Sequence, residues 1–127
     1  MSSEFPTAEE YASEQARHTG MTVVDIDAEQ SVVTGSYKNQ VLLDINQDCM
    51  RMSVFEGQYH WHHHPDSDEL FFVVQGELQI EFQGSDMQAL KPGQCLVVPA
   101  GTVHRTRAIG RTVNLTFEKQ GAQAVFV

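Results

Sequence analysis

Beyond Met21, the chain alternates short apolar runs with turn-forming residues. The runs of β-type composition read MTVVDI, VLLDI, CMRMSVF, ELFFVV, ELQIEF, CLVVP, VHRTR and RTVNLTF. Glycine, proline and short polar residues separate them, as in Pro65–Asp68 and Pro99–Gly101. Many short strands and tight turns in one small chain predict an all-β barrel or sandwich.

The first twenty residues follow a different pattern. Thr7 and Glu10 have the spacing of a helix capping box and Gly20 is a stop signal, so we predict a helix over Ala8–His18. Its apolar face is thin, and we expect a neighbour, such as a second subunit, to cover it. A length of 127 residues fits one domain. We therefore predict an N-terminal arm or helix over residues 1–20 and a single barrel domain over residues 21–127.

Charge and composition narrow the classes of partner. The chain has 17 acidic and 8 basic residues, and the basic ones are scattered. A net charge of -9 repels phosphate backbones and anionic lipids, so we expect neither nucleic acid nor membrane as a partner. No apolar run is long enough to span a bilayer and no signal pattern opens the chain, so we expect a cytoplasmic protein. Cys49 and Cys95 form no CxxC pair, and we expect reduced thiols.

Four of the six histidines crowd into the stretch YHWHHHPDSDEL, which spans Tyr59–Leu70. The run is internal and interrupted by Trp61, unlike a purification tag. Gly57 and Pro65 bound a predicted strand over Gln58–His64. Because side chains alternate across a strand, one face carries His60, His62 and His64, and His63 points to the other.

Two further residues extend this histidine cluster. Glu69 opens an apolar strand on the row of Phe71 and Val73, and a carboxylate on a core-facing row is costly without a partner. His104 stands near the start of a strand that follows the Pro99–Gly101 turn. Three imidazoles and one carboxylate suit iron, manganese, nickel, zinc or copper better than calcium or magnesium.

At these residues the sequence resembles the cupin superfamily, and in particular the small single-domain bacterial cupins, such as those similar to mannose-6-phosphate isomerase. A first motif reads Gly57, four residues, HHH, four residues, Glu69, six residues and Gly76; a second reads Gly93, Pro99-Ala100-Gly101 and His104. The resemblance implies a jelly-roll β-barrel, or double-stranded β-helix, of six to eight strands. It also implies a divalent transition metal bound by His62, His64, Glu69 and His104, and a homodimer. Two positions depart from the family pattern: the spacing after Gly57 is one residue short, and Ala108 replaces an asparagine. Neither is a ligand position.

The strand parity predicts which residues surround the site. We expect a pocket lined by Gln58, Met52, Val54, Phe71, Val73, Phe82 and Thr106. This choice of parity turns Arg51 away from the cavity, and Arg105 and Arg107 likewise face opposite to His104. With so few cations inside, a phosphorylated sugar is disfavoured as a substrate. His60 is a residue at the barrel mouth that supports the ligands, the catalytic acid or base, or merely an exposed side chain.

Two classes of function remain open at this point. The first is a small metalloenzyme acting on a sugar-like or carbonyl compound by Lewis-acid isomerisation or ring opening, or by dioxygen insertion. The second is a metal-dependent module that binds or senses a small molecule without turnover. In a third, structural interpretation the metal only braces the barrel.

Overall fold

The computed structural model describes residues 5–127, and most of these lie in β-strands. The described elements are α1 (Ala8–Ser13), α2 (Ile26–Ser31), β1 (Tyr37–Ile45), β2 (Asp48–Gln58), β3 (His62–His63), β4 (Glu69–Phe82), β5 (Ser85–Leu90), β6 (Cys95–Val98), β7 (His104–Lys119) and β8 (Val125–Phe126). The prediction of an all-β jelly roll with a short N-terminal helix is confirmed. The division into residues 1–20 and 21–127 stays a prediction.

Two long antiparallel strands, β4 and β7, organise the barrel. Their register runs from Leu70 opposite Phe117 to Phe82 opposite His104. β2 pairs with β7 from Arg107 to Lys119, β3 pairs with the first residue of β7, and β5 and β6 pair with β4. The β4–β7 ribbon bends in the middle, where the register shifts on both sides of Gln75. The bend folds the ribbon back on itself and brings the two ends of the ribbon to one site.

Gly76 lies at this bend and has no room for a side chain. Its φ of +84° is in the left-handed region. A Cβ atom there would stand 2.5 Å from Thr112 Oγ1 and 2.7 Å from the carbonyl oxygen of Arg111. The glycine that ends the first motif therefore permits the close approach of β4 to β7.

The barrel wall is apolar on both faces. The inner cluster contains Phe55, Phe71, Val73, Leu78, Ile80, Leu90, Val98 and Ala108. An outer cluster contains Leu42, Met52, Val54, Val113 and Leu115, and it is covered by Val24, Ile26 and Val33 from the segment before β1. Both parities of β2 are consequently buried, so hydrophobicity alone does not identify the inner face of this strand.

The segment before β1 corrects two predictions. Helix α1 has the predicted capping box, but it ends at Ser13 rather than at His18. Arg17 and His18 instead donate backbone hydrogen bonds to the carbonyl oxygens of Val41 and Leu42 on β1, which holds the chain extended. The run MTVVDI is not a strand.

The run MTVVDI is not a strand because Asp25, within it, is the N-cap of helix α2. Its carboxylate accepts hydrogen bonds from the amides of Asp27 and Ala28 and starts α2. Met21 and Val23 are exposed, whereas Val24 and Ile26 pack on the outer cluster. Part of this run thus forms the loop before α2 and the first residue of α2, and Val24 and Ile26 cover the outer cluster.

The predicted strand Gln58–His64 is also interrupted. β2 ends at Gln58 after a register shift between Phe55 and Gly57, and β3 contains only His62 and His63. Further along, the thiols of Cys49 and Cys95 are free, the first buried and the second exposed.

Candidate metal centre

Four buried side chains converge at one end of the barrel: His62, His64, Glu69 and His104. One ligand atom from each lies within 4.8 Å of the others. His62 is the first residue of β3 and pairs with His104, the first residue of β7. Glu69 is the first residue of β4. The bend of the β4–β7 ribbon returns His104 to within 3.5 Å of Glu69 Oε1.

The three histidines share one hydrogen-bonding arrangement. Each Nδ1 atom lies 2.7–2.8 Å from a backbone carbonyl oxygen, and these oxygens belong to His60, Gln123 and Thr102 for His62, His64 and His104 respectively. A carbonyl only accepts, so each Nδ1 carries the hydrogen. Every Nε2 atom is then left as the coordinating nitrogen, as in metal sites whose histidines are oriented by a second hydrogen bond.

The inward-facing atoms fit a bound cation. Within residues 5–127, His64 Nε2, His104 Nε2 and Glu69 Oε1 are buried without a hydrogen-bond partner. Buried polar atoms without partners are costly, and a divalent transition metal would satisfy all three together. Nitrogen and oxygen donors of this kind could hold such an ion, and the donor set does not select one metal.

The pKa values of these groups reflect their crowding. Burial lowers the pKa of His62 to about 4, and His104 adds to the effect. For His64, burial also opposes the charged form, but the Glu69 carboxylate 3.3 Å away outweighs it and raises the pKa to about 9. Burial would raise the pKa of Glu69, yet His104 and His64 hold it well below the usual range. These directions favour a protonated His64 beside an ionised Glu69, a proton that a bound ion would displace.

A small cavity of about 40 Å³ adjoins the cluster. Its described walls come from α1, from the strands and from the loop before β8. The lining residues are Tyr11, Tyr37, Asn39, Ser53, Phe55, Tyr59, His62, His64, Glu69, Phe71, Thr106, Asn114, Thr116 and Ala124. Aromatic and small apolar groups thus share the wall with hydroxyls and amides.

Two of the predicted pocket residues, Phe71 and Thr106, line this cavity. The others do not. Met52 and Val54 belong to the outer cluster, because residues before β1 cover that face. Val73 belongs to the inner cluster and is not among the cavity-lining residues. Two more lie outside the lining: Phe82 borders a groove elsewhere, and Gln58 is exposed with its amide beside Arg105.

His60 is not among the cavity-lining residues. Its side chain is exposed, and its ring lies 4.9 Å from that of Phe5 and 5.8 Å from that of Phe126. The chain leaves the β pattern between β2 and β3, so the alternation that aligned His60 with His62 does not hold. The backbone carbonyl of His60 nevertheless orients His62.

Arg51 is buried and lies on the same face of β2 as the cavity-lining Ser53 and Phe55, so the predicted parity of this strand is wrong, although Arg51 itself does not line the cavity. Its guanidinium group donates to the Tyr11 carbonyl at 2.7 Å and to Asn39 Oδ1 at 3.1 Å. Arg51 Nε lies 3.0 Å from Glu118 Oε1, and the Tyr11 hydroxyl donates to the same carboxylate. Burial, reinforced by the nearby Glu69, raises the pKa of Glu118 to about 7. Arg105 is directed away from the cavity as predicted, toward Glu81 and the Trp61 ring.

Sequence reasoning missed most of the polar lining. Ser53 and Phe55 have the parity of β2 that was assigned to the outside, and Asn114 and Thr116 share one face of β7. Tyr11 lies in a segment that the sequence placed outside the barrel; its ring stacks on His64 at 5.5 Å and is buried with Ala122 and Ala124. The helix is thus covered by its own chain.

The fold and the ligand geometry define a cupin, and the chain belongs to this family: the model of the cupin domain, Cupin_2, matches residues 50–117. The uncharacterized protein YdbB of Bacillus subtilis (strain 168) is 47% identical over 95 residues, which cover 75% of this chain and 84% of YdbB.

Solved structures agree on the fold. A cupin-2 domain protein from Shewanella frigidimarina NCIMB 400 is 28% identical, with a TM-score of 0.72 over 76% of this chain and 94% of that one. A cupin-like protein from Thermotoga maritima MSB8 is 23% identical, with a TM-score of 0.65 over 74% of this chain and 77% of its own. None of the helices within residues 5–127 is long and apolar enough to cross a membrane.

Proposed function

We propose that this protein is a metal-dependent enzyme that binds a small carbonyl or hydroxy compound beside an ion held by His62, His64, Glu69 and His104. The observation that supports it is the position of the unpaired His64 Nε2, His104 Nε2 and Glu69 Oε1 atoms; two of these residues, His64 and Glu69, also line the cavity. A divalent ion bound there would supply Lewis acidity toward a ligand oxygen. Four protein ligands leave coordination positions for that oxygen.

The cavity wall supports this role. Phe55, Phe71 and Ala124 provide apolar surface that excludes water from a bound molecule. Hydrogen bonds from Nδ1 to backbone carbonyls hold the three imidazoles in position before any ligand arrives. The class of reaction that fits best is isomerisation or ring opening of a hydroxycarbonyl compound, with dioxygen insertion as the variant expected of an iron-loaded protein.

One observation favours the alternative of a binding or sensing module. His60 is outside the cavity, and the Tyr11 hydroxyl at its wall is already hydrogen-bonded to Glu118. Neither group is placed as a free acid or base next to a bound molecule. Binding without turnover is therefore the second candidate function.

Proton exchange separates these candidates. We would load the protein with zinc, nickel, manganese or iron and incubate it with hydroxyaldehydes and hydroxyketones in D₂O. An isomerase that works through an enediol incorporates deuterium next to the carbonyl, and one that works by a hydride shift forms the isomerised product without deuterium; proton NMR detects both. His104→Ala should abolish the isomerisation and any exchange, and His60→Ala should retain them. Ligand binding with neither isomerised product nor exchange would favour the binding module, and oxygen uptake by the iron form would favour dioxygen insertion.

The homodimer and the cytoplasmic location stay predictions. Coverage of α1 by Ala122 and Ala124 removes one argument for a dimer, and the family resemblance remains as its basis. Light scattering of the purified protein tests the dimer directly.

A further inference from the structure

We propose that the ligand of the metal cavity carries an uncharged hydroxyl group at a distance from the metal-binding end, and that Asn114 and Ser53 bind this hydroxyl. The inference rests on the proposed function and names the class of ligand: an unphosphorylated polyhydroxy compound. The observations behind the inference concern two uncharged side chains on the adjacent, paired strands β2 and β7 of the cavity wall.

Asn114 supplies an unpaired acceptor. The residue is 2% exposed and lines the cavity. Its Nδ2 atom donates to Ser53 Oγ at 3.4 Å, whereas Oδ1 has no hydrogen-bond partner in the described part of the chain. Buried amide oxygens are nearly always paired, because an unpaired one retains its desolvation cost. A ligand group that donates a hydrogen bond would remove this cost.

Ser53 supplies the complementary donor. Its Oγ atom accepts from Asn114, and no hydrogen bond from this hydroxyl to another residue is found within 5–127. The pair therefore presents one acceptor and one donor side by side. A hydroxyl group both donates and accepts, so it satisfies the pair. A phosphate or carboxylate only accepts and an ammonium group only donates, so each of them would leave one partner unpaired.

The absence of positive side chains from the described cavity lining also favours an uncharged group over a phosphate. None of the described residues that line the cavity is Lys or Arg. The nearest buried cation, Arg51, is occupied by the Tyr11 carbonyl, Asn39 and Glu118. A phosphate ester at this end of the cavity would be buried without a counter-charge, which is costly.

The register sets the approximate length of the ligand. Asn114 stands opposite Val73, four residues along β4 from Glu69. At the rise of a strand, this separation of the two backbone positions is roughly 13 Å. Because side chains from both positions reach into the cavity, a ligand that spans them needs several carbon atoms. Phe55 and Phe71 lie on the same wall and would pack against its carbon chain.

The test uses matched ligands on the nickel-loaded protein. Threonate and gluconate share a metal-binding hydroxy-acid end, and each is compared with its terminal deoxy analogue and its terminal phosphate ester. Isothermal titration calorimetry gives the affinities for the wild type, Asn114→Leu and Ser53→Ala. Gln79→Leu, which removes a half-buried amide from β4 outside the cavity lining, is the matched control.

We expect one of the two hydroxylated acids to bind about tenfold more tightly than its deoxy analogue, the effect of one buried hydrogen bond. Its phosphate ester should bind more weakly than the hydroxylated acid. Asn114→Leu and Ser53→Ala should each lower the affinity of the hydroxylated acid toward that of the deoxy acid, and Gln79→Leu should change neither.

Four results would overturn the inference. The hydroxylated and deoxy acids bind equally well, the phosphate ester binds more tightly than the hydroxylated acid, both variants still discriminate between the hydroxylated and deoxy acids, or none of these acids binds. Nickel binding is measured separately on each protein. Failure of the wild type to bind nickel would contradict the proposed function and this inference together, whereas nickel binding without hydroxyl discrimination would contradict the inference alone.

Discussion

Metal binding should expel a proton from His64, and Glu69 is the reason that the proton is there. The carboxylate lies 3.3 Å from His64 Nε2 and overcomes the burial of the imidazole, raising the pKa of His64 to about 9. At pH 7, about two units lower, we expect most of the His64 side chains to carry the proton. A coordinating nitrogen must be deprotonated, so binding releases about one proton per ion. His62 adds none at this pH, because its pKa is about 4.

The Glu69→Gln variant tests this coupling. An amide carries no charge to favour the imidazolium, so the pKa of His64 should fall to its ordinary value of 6.5 or lower. At pH 7 about a quarter or less of the protein then holds the proton, and the release per ion falls from about one to about 0.25 or less. Because an oxygen ligand also loses its charge, we expect the metal affinity measured above about pH 9, where neither protein must release a proton from His64, to fall by more than about 100-fold, beyond the effect typical of outer-shell changes.

The assay is calorimetric titration of metal in buffers of different ionisation enthalpy. The slope of the observed enthalpy against the buffer enthalpy gives the number of protons released. Because the proton is released on binding, the metal affinity also depends on pH. For the wild type, the logarithm of the affinity should rise by about one per pH unit up to about pH 9 and level off above it. Asp86→Asn, at an exposed carboxylate on β5, is the control. Wild-type binding without proton release, or an unchanged release in Glu69→Gln, would refute the reasoning.

Three further substitutions and one control, Gly84→Ala, test the barrel and the wall of the cavity by urea denaturation. Gly76→Ala should lower the free energy of unfolding by at least about 3 kcal/mol, because the new Cβ atom would stand 2.5 Å from a side-chain oxygen. Gly84 has a similar φ and open space around it, so Gly84→Ala should cost about 1–2 kcal/mol. Equal losses in the two variants would contradict the steric argument. Tyr11→Phe should cost about 1–3 kcal/mol, because the buried Glu118 loses a hydrogen bond, and wild-type stability would contradict this. Asn114→Leu should leave the stability unchanged to within about 1 kcal/mol, because removal of the unpaired amide oxygen offsets the loss of the hydrogen bond to Ser53; a loss of more than about 2 kcal/mol would contradict the unpaired state of Oδ1.

Local patterns were sufficient for much of the barrel and for the prediction of its metal ligands. Turn residues and β-type runs predicted an all-β domain, because punctuation by glycine and proline is a property of the local backbone. The two motifs pointed to His62, His64, Glu69 and His104, and the structure brings these four together. Gly76 was part of the same motif, and its requirement comes from a contact between distant segments.

Local patterns failed where two faces of a strand are both apolar. Alternation in β2 offers Met52 and Val54 on one side and Ser53 and Phe55 on the other, and their sequence does not show which side is inside. The deciding contact is made by Val24 and Ile26, which cover the outer face from a segment mistaken for a strand.

The sequence by itself determined the class of fold and the four candidate ligands, because turn chemistry and motif spacing are encoded along the chain. Only the tertiary structure decided what surrounds those ligands. It placed Tyr11 from the N-terminal helix against His64, moved the His60 side chain outside the cavity and aligned Asn114 with Ser53. These placements depend on bends and strand pairings between residues far apart in the chain, and such contacts leave no local periodicity.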